Sequence, residues 1–432
     1  PWKGNASVLS TVDGSVKADY GPEFDVQRQF NAPGHSPKMW SELWVGWFDY
    51  WGSGHQSKWA RDIHDGVLAM AKTEGASFSL YMAHGGTSGN WPGANAQVPP
   101  GGVEPAGAFQ PDVTSYDYSA PVNEAGHHGL DRSGGDLFVA LQSALSAVYG
   151  PPRFPEPAQL PVVSYGAVAL LDRALLMENL EVLSTCRVEV AGGEEFPSFE
   201  ALGVDIGLVV YQAQPPEGFG LLELPAYFTA SSLRDFAQVL VDGLEVAAAY
   251  RADLQQDAAL LTPAGKRMDL IVENVARVNY GSFLSEHKGL HQRPPLSGPW
   301  TARCVPLEAA PLDKLPWQPV PPEFALPSPA PAFRRGVLRV DGTPQDTFID
   351  SRRLGKGYMW VNGTPLGRFW EAKGPQHTLY VPAPYLRSGD NELVVFDFHD
   401  QGGARLVETA AAPRWEPWAE GDAEAQLRVS WL

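Results

Sequence analysis

The stretch Lys38 to Gly52, KMWSELWVGWFDYWG, sets one carboxylate, Glu42, among Trp40, Trp44, Trp47, Tyr50 and Trp51. An apolar run that ends in an acid and then in aromatic residues predicts a buried parallel strand that delivers a carboxylate to a ligand-facing rim. Indole rings stack on the C–H faces of sugars, and cleaving a glycosidic bond takes carboxylates, so carbohydrate is the chemistry this pattern fits best. A tryptophan-rich core strand capped by a solvated glutamate fits the same residues. Two further phenols, Tyr116 and Tyr118, lie at i and i+2 in Thr114-Ser115-Tyr116-Asp117-Tyr118. On an extended segment both would point to one side and could meet one ligand, or serve structure alone. His55, His64 and His84 lie close by without HExxH or comparable spacing, so no metal site is expected. Asp49 and Asp65 read as structural and His127-His128 as a solvated pair. Glu124 reads as a support behind the tyrosines, a salt-bridge partner or a helix-start residue.

These side chains need elements to hold them. After the Glu42 strand comes a helical pattern with Trp59, Ile63, Val67 and Met70 on one face, then a second buried-strand candidate, Phe78 to Met82. That strand runs into His84-Gly85-Gly86-Thr87-Ser88-Gly89, a glycine-rich loop that lacks phosphate-loop spacing. Strand, helix and strand make one βαβ unit of an α/β fold, in which the loops after the strands build the site. A helix over Gly135 to Tyr149, with Leu137, Leu141, Leu145 and Val148 in period, closes this region.

Beyond the proline-rich linker Pro151 to Pro157 the text turns to β structure. Val239 to Val246 and Tyr358 to Leu366 are hairpin signals built on Asp242-Gly243 and Asn362-Gly363. A second proline-rich stretch, Pro311 to Pro331, lies between them and reads as an ordered strap between two β-sandwich modules. The chain of 432 residues has a formal net charge of −18, which argues against nucleic acid and anionic membrane surfaces as partners. No apolar run is long enough to span a bilayer. Only Cys186 and Cys304 are present, so neither a disulfide framework nor a thiolate zinc site is expected, and one bridge between the two stays open. Asn5-Ala6-Ser7 and Asn362-Gly363-Thr364 match the glycosylation sequon. No leader is visible at Pro1, and the compartment, secreted or cytoplasmic, is left undecided.

SELWVGWFDYWG, SLYMAHGGTSGNWPGAN and TSYDYSAPVNEAG, in that order, closely resemble the β-galactosidases of glycoside hydrolase family 35. DLIVENVARVNYGSFLSEHKGL, PQDTFID, KGYMWVNGTPLGRFW and GPQHTLYVPAPYL further on are similar to that family's two jelly-roll domains. The resemblance implies the C-terminal portion of a (β/α)8 TIM barrel over 1–150, a first jelly roll over 151–310, and a second, galactose-binding-like jelly roll with a tail over 311–432. It also implies a retaining exo-β-galactosidase that removes terminal β-linked galactose from glycans without metal or organic cofactor. Glu42 would be its nucleophile, Trp47 its stacking platform, and Tyr81, Tyr116 and Tyr118 the lining of its galactose pocket.

Two departures stand out. Gly85-Gly86-Thr87-Ser88-Gly89 replaces the family's GGTNFG, losing an amide and an aromatic near the pocket. The family's acid/base carboxylate, in a VENEYG-like motif upstream of the nucleophile, has no counterpart, because VENVARVNYG at Val272 falls in the first jelly roll. The expectation is therefore a chain holding about the last three of eight barrel strands, with an uncovered apolar interior. The acid/base would come from the front half as a separate polypeptide. Other readings consistent with the residues are a non-catalytic galactose-binding or assembly protein, or a family member acting on β-glucosaminides or galactan ends.

Overall fold

A computed structural model of the chain describes residues 8–96, 107–214, 222–229, 232–253, 258–262, 267–295, 298–320, 325–402 and 405–415. It divides into two units: unit 1 comprises residues 1–49, 54–87 and 115–162, and unit 2 comprises 50–53, 88–114 and 163–432. Of the sequence readings, Asn5 of the first sequon and tail residues Trp418 and Trp431 lie outside the described residues.

Unit 1 is built on a parallel sheet of three strands, β1 (Val12–Ser15), β2 (Lys38–Trp44) and β3 (Ala76–Tyr81), in that order. Three helices belong with it, α1 (Gly21–Phe30), α2 (Ala60–Lys72) and α3 (Leu137–Tyr149). Of the predicted face of α2, Ile63, Val67 and Met70 are fully buried, in one cluster with Tyr20, Phe24, Trp40, Leu43, Leu137 and Leu141, whereas Trp59 precedes the first helical turn and is exposed. Trp40 fills the centre. Tyr20 and Phe24 meet its ring edge-on at 4.8 and 5.7 Å, and its Nε1 donates to the Glu42 carbonyl at 3.0 Å, so the indole is buried with its polar atom paired. α3 begins at Asp136, whose side chain accepts from the Val139 amide at 2.8 Å and caps an otherwise orphaned donor.

One irregularity decides where Glu42 points. Val12 pairs with Trp40 but Asp13 pairs with Glu42, and on the other side Trp40 pairs with Phe78 while Leu43 pairs with Leu80. Strand β2 thus carries an extra residue, a bulge of the kind that re-aims a side chain. Trp40 and Leu43, three apart, both turn to the helices, and Glu42 is thrown to the opposite face with Trp44.

That opposite face also carries Asp13, Ser15, Ser77, Ser79 and Tyr81. The expected apolar interior is therefore corrected: over these three strands the face away from the helices is largely polar, because acids, serines and a tyrosine share it with Trp44.

Among its described residues unit 2 is mainly antiparallel β structure, with one parallel pairing and two short helices, Leu180–Leu183 and Phe199–Leu202. A six-stranded sheet runs in the order Leu244–Tyr250, Phe236–Val241, Met268–Asn274, Gly207–Ala213, Trp300–Val305, Cys186–Val190. A nine-stranded sheet has Gly389–Gly402, Ala325–Val340 and Ala167–Leu175 at its middle. Both predicted hairpins form with two-residue turns, Asp242-Gly243 at φ 50° and 83° and Asn362-Gly363 at 50° and 76°. Asn and Asp tolerate positive φ and Gly is indifferent to it, which is why these pairs sit there. The Asn362 amide donates to the Tyr385 carbonyl at 2.9 Å and to Asn391 Oδ1 at 2.8 Å, so the second sequon's acceptor nitrogen is engaged in the turn. The proline-rich stretch contributes Gln318–Pro319, paired with Ala167–Leu175, and the start of the strand at Ala325. From the tail, Arg405–Ala410 pairs between Ala167–Leu175 and Thr347–Asp350.

Cys186 and Cys304 face each other in register on neighbouring strands and form a disulfide, closing a sequence separation of 118 residues. The segments Tyr50–Ser53 and Ser88–Thr114 are integral to this unit. Trp51 enters its core, and Gly93–Ala96 pairs with Arg277–Gly281 on one side and Phe109–Pro111 on the other. Among the described residues no helix is long and apolar enough to cross a membrane.

Candidate active site

Glu42 stands two residues before the C-terminal end of β2, the central strand of a three-stranded parallel sheet, on the face away from the helices, half-buried, and accepts a 3.0 Å hydrogen bond from Trp44 Nε1 on Oε2. The bulge supplies the direction and the i, i+2 spacing supplies the partner, since Glu42 and Trp44 share a face.

The loop that follows turns back through Gly46. A Cβ at that position would lie 1.6 Å from the Tyr118 carbonyl oxygen, which the Trp47 amide engages at 3.1 Å. Glycine is therefore required here by close backbone approach, and this contact brings Trp47 to the tyrosine segment.

Three of the residues expected in a sugar pocket meet directly. The Tyr81 and Tyr116 hydroxyls are 3.1 Å apart, Tyr116 and Tyr118 stack at 5.6 Å, and Tyr81 meets Tyr118 edge-on at 5.4 Å. Trp47 lies 6.3 Å from Tyr118 and 5.3 Å, edge-on, from Trp44, whose Nε1 binds Glu42. Glu42, Trp47, Tyr81, Tyr116 and Tyr118 thus belong to one chain of contacts. The route by which the two tyrosines come together differs from the extended segment expected, because only Ser115–Tyr116 is strand and Tyr118 and Ser119 adopt φ of 64° and 51°. A left-handed turn, and not the pleat of a strand, stacks the phenols.

Sequence reasoning missed Phe48 and Asp117. Phe48 stacks on Trp47 at 4.7 Å and lies 5.5 Å from Tyr116, so the two rings form a stacked pair beside the tyrosines. Its place in the aromatic run was the available signal. Asp117, between the two tyrosines, has its carboxyl pushed up to about 6 by burial, with the charge of His55 pulling it down and that of Asp49 pushing it up. His55 Nδ1 is 2.7 Å from Asp49 Oδ2, and Asp49 Oδ1 accepts from the Gln56 amide at 2.6 Å. Burial disfavours the charged imidazole, but the hydrogen bond and charge of Asp49 outweigh it and raise the His55 pKa.

Glu124 sits behind the tyrosines. It accepts from the hydroxyl of Thr87 and, at 2.7 Å, from that of Ser115, bridging the short ladder in which Gly86–Thr87 pairs with Ser115–Tyr116. Of the roles read from the sequence, the support behind the tyrosines is the one these bonds describe. Burial pushes its carboxyl up to about 7 against the two hydroxyl bonds. In the folded protein Glu124 thus holds a proton between about 4.5 and 7 that the unfolded chain has released, so folding stability contributed by this group declines as pH rises through that window. The expected result is that Glu124→Gln flattens the fall in Tm across this range and gains up to about 3 kcal/mol relative to the native chain by pH 8. Parallel Tm–pH curves for the two proteins would refute it.

His64, His127 and His128 each have protein partners. His64 Nδ1 lies 2.8 Å from Asp65, and His127 Nε2 bonds the Leu160 carbonyl at 2.5 Å. His128 is not solvated as expected: it is half-buried, spans Asp136 and Glu156 at 2.8 Å each, and stacks on Phe138 at 4.4 Å. Among the described residues no group of three His, Cys, Asp or Glu side chains could hold a metal ion.

Residues 3–132 match the family model described as glycosyl hydrolases family 35, residues 197–302 that of the β-galactosidase first all-beta domain, and 331–391 that of the β-galactosidase galactose-binding domain. The chain belongs to glycosyl hydrolases family 35. The β-galactosidase-1-like protein of Mus musculus is 34% identical over 374 residues, covering 84% of this chain and 55% of that protein. The β-galactosidase of Bos taurus is 31% identical over 438 residues, covering 92% and 61%, and β-galactosidase 8 of Oryza sativa subsp. japonica is 29% identical over 449 residues, covering 94% and 64%. This family 35 chain therefore spans between about half and two thirds of the length of these relatives.

Glu273, in VENVARVNYG, has no access to a ligand. It is fully buried in unit 2, bound by Lys356 and, at 2.6 and 3.0 Å, by the Tyr358 hydroxyl and Arg368 Nε.

Proposed function

We propose that this chain is the C-terminal part of a retaining exo-β-galactosidase, in which Glu42 is the nucleophile and Trp47, Tyr81, Tyr116 and Tyr118 line the galactose pocket. The observation that carries the reading is Glu42 turned by the bulge onto a polar face beside the cluster of three tyrosines and Trp47. A face of Asp13, Ser15, Ser77, Ser79 and Tyr81 suits an aqueous, sugar-lined cavity better than a packed core. We read unit 1 as the last three strands of a (β/α)8 barrel, the two sheets of unit 2 as jelly rolls, and the C-terminal strand ends as the catalytic rim.

In the reaction the ionised Glu42 carboxylate attacks the anomeric carbon as the glycosidic C–O bond breaks, forming a glycosyl ester. Water then cleaves the ester and frees both galactose and Glu42. The proton that the leaving oxygen needs comes from a second carboxyl about 5–5.5 Å away. We place that acid/base on barrel strands outside these 432 residues, on a longer form of the polypeptide or on a separate one. The relatives' greater length and a barrel sheet of three strands support this placement. The disulfide favours an oxidising compartment.

Aryl β-galactoside, β-glucoside and β-glucosaminide offered at equal concentration test the activity. The galactoside is expected to turn over fastest in the protein that carries the front strands, and the 432-residue chain alone about 10²- to 10⁴-fold more slowly. A faster glucosaminide assigns the enzyme another specificity, and sugar binding with no turnover in any form leaves a non-catalytic galactose-binding protein. Full activity of this chain alone would overturn the split of the two carboxylates.

A further inference from the structure

Tyr118 and Ser119 hold φ of 64° and 51°, a left-handed conformation that is strained for a residue with a side chain and persists only where its surroundings impose it. Bonds from three places hold this turn. Asp117 Oδ1 accepts from the Ser119 amide at 3.1 Å, the Trp47 amide donates to the Tyr118 carbonyl at 3.1 Å, and the Lys58 amide donates to Ser119 Oγ at 3.1 Å. The last of these makes the tyrosine turn depend on residues 55–58, a segment that is neither helix nor strand.

Side chains hold that segment in turn. His55 Nδ1 meets Asp49 Oδ2 at 2.7 Å, and the Gln56 amide donates to Asp49 Oδ1 at 2.6 Å. Arg132 Nη2 donates to the His55 carbonyl at 3.1 Å and its amide to Ser57 Oγ at 3.1 Å. The charged groups that face His55 are Asp49, Asp117 and Arg132, and Asp117 also faces Asp49 and Glu124. An imidazolium here is drawn to Asp49 through a charge-assisted bond and to Asp117 through space. A neutral imidazole can keep the Asp49 bond but loses its hold on Asp117, the residue between the two tyrosines.

We propose that His55 is a positioning residue for the galactoside pocket: its imidazolium ties Asp49, in the loop after Glu42, to Asp117, and loss of that charge loosens the turn that stacks Tyr118 on Tyr116. The effect on sugar rests on the reading of the Glu42 cluster as a galactosidase site, whereas the tie does not. Burial lowers the His55 pKa, but Asp49 and Asp117 raise it overall, and the Asp117 carboxyl stands at about 6. The tie is therefore complete from about pH 6, where Asp117 ionises, to the raised pKa of His55, and is lost as pH rises through that value.

The 432-residue chain, carbon-labelled at its histidine and tyrosine rings, is titrated by NMR from about pH 5 to 9. The His55 signal is expected to move with a midpoint above the ordinary imidazole value, and the Tyr116 and Tyr118 signals to follow it, while exposed Tyr280 of unit 2 does not. Asp49→Asn should lower the midpoint. His55→Gln, whose amide can still donate to Asp49, should remove that midpoint from the tyrosines, and so should Asp117→Asn, which serves if His55→Gln does not fold. Tyrosine signals that ignore the His55 midpoint, or that keep it in these variants, would overturn the tie. In the protein that carries the front strands, His55→Gln is expected to raise KM for an aryl β-galactoside about 5- to 20-fold near pH 6.5, with kcat within about twofold, and to abolish the rise in KM that the native protein shows above the His55 midpoint. An unchanged KM and pH profile would overturn the positioning role even where the tie is seen. Absence of turnover in the native protein counts against the galactosidase reading, and the NMR titration then decides the tie by itself.

Discussion

Glu42→Gln in the protein carrying the full barrel is expected to lower kcat for an aryl β-galactoside by about 10⁴-fold or more, with Tm almost unchanged. The glutamine amide keeps shape and polarity but cannot form the glycosyl ester, so the effect falls on chemistry. Stability is spared because Glu42 is half-buried and makes one hydrogen bond that an amide oxygen can also accept, from Trp44 Nε1 at 3.0 Å. Glu42→Gly with azide sharpens the test. Azide in the vacated space attacks the anomeric carbon and yields the α-galactosyl azide, a product whose stereochemistry reports a missing nucleophile. Loss of less than about tenfold, or a β-configured azide, would remove Glu42 from this role.

Glu273→Ala is expected to have the opposite profile, destabilising unit 2 by about 3–5 kcal/mol and abolishing activity only through unfolding. Its carboxylate, 0% exposed, is held by Lys356, Tyr358 and Arg368, whose Nη1 also donates to the Val275 carbonyl at 2.7 Å. The Lys356 ammonium lies 4.1, 4.4 and 4.7 Å from the ring centroids of Phe236, Phe398 and Trp370. Burial, seconded by the charge of Arg368, holds the Lys356 pKa well below its usual value. Removing Glu273 strands the Arg368 guanidinium, which cannot shed its proton, in a dry interior. Denaturant titration that finds a loss under about 1 kcal/mol would show the network to be dispensable. The two glutamates thus separate cleanly: one variant stays folded and loses its chemistry, the other loses its fold.

Much of this was legible in local text. The apolar period of α2, the Asp-Gly and Asn-Gly turns, and the strand that ends near Glu42 are short-range matters of spacing and φ preference, and the observed elements follow them. The partnership of the two cysteines could be only an open question, since 118 residues separate them and register on neighbouring strands brings them together. His128 looked solvated because Asp136, Glu156 and Phe138, its three partners, are not adjacent to it in the chain.

The sequence by itself determined which residues could do the chemistry: a glutamate in an aromatic run, a tyrosine pair, and motifs specific enough to mark the family. The tertiary structure alone decided how they are aimed. One extra residue in β2 sends Glu42 to the face away from the helices, and a left-handed turn at Tyr118 stacks it on Tyr116. Residue type is a local property, whereas the direction of a side chain depends on register with strands and loops distant in the chain.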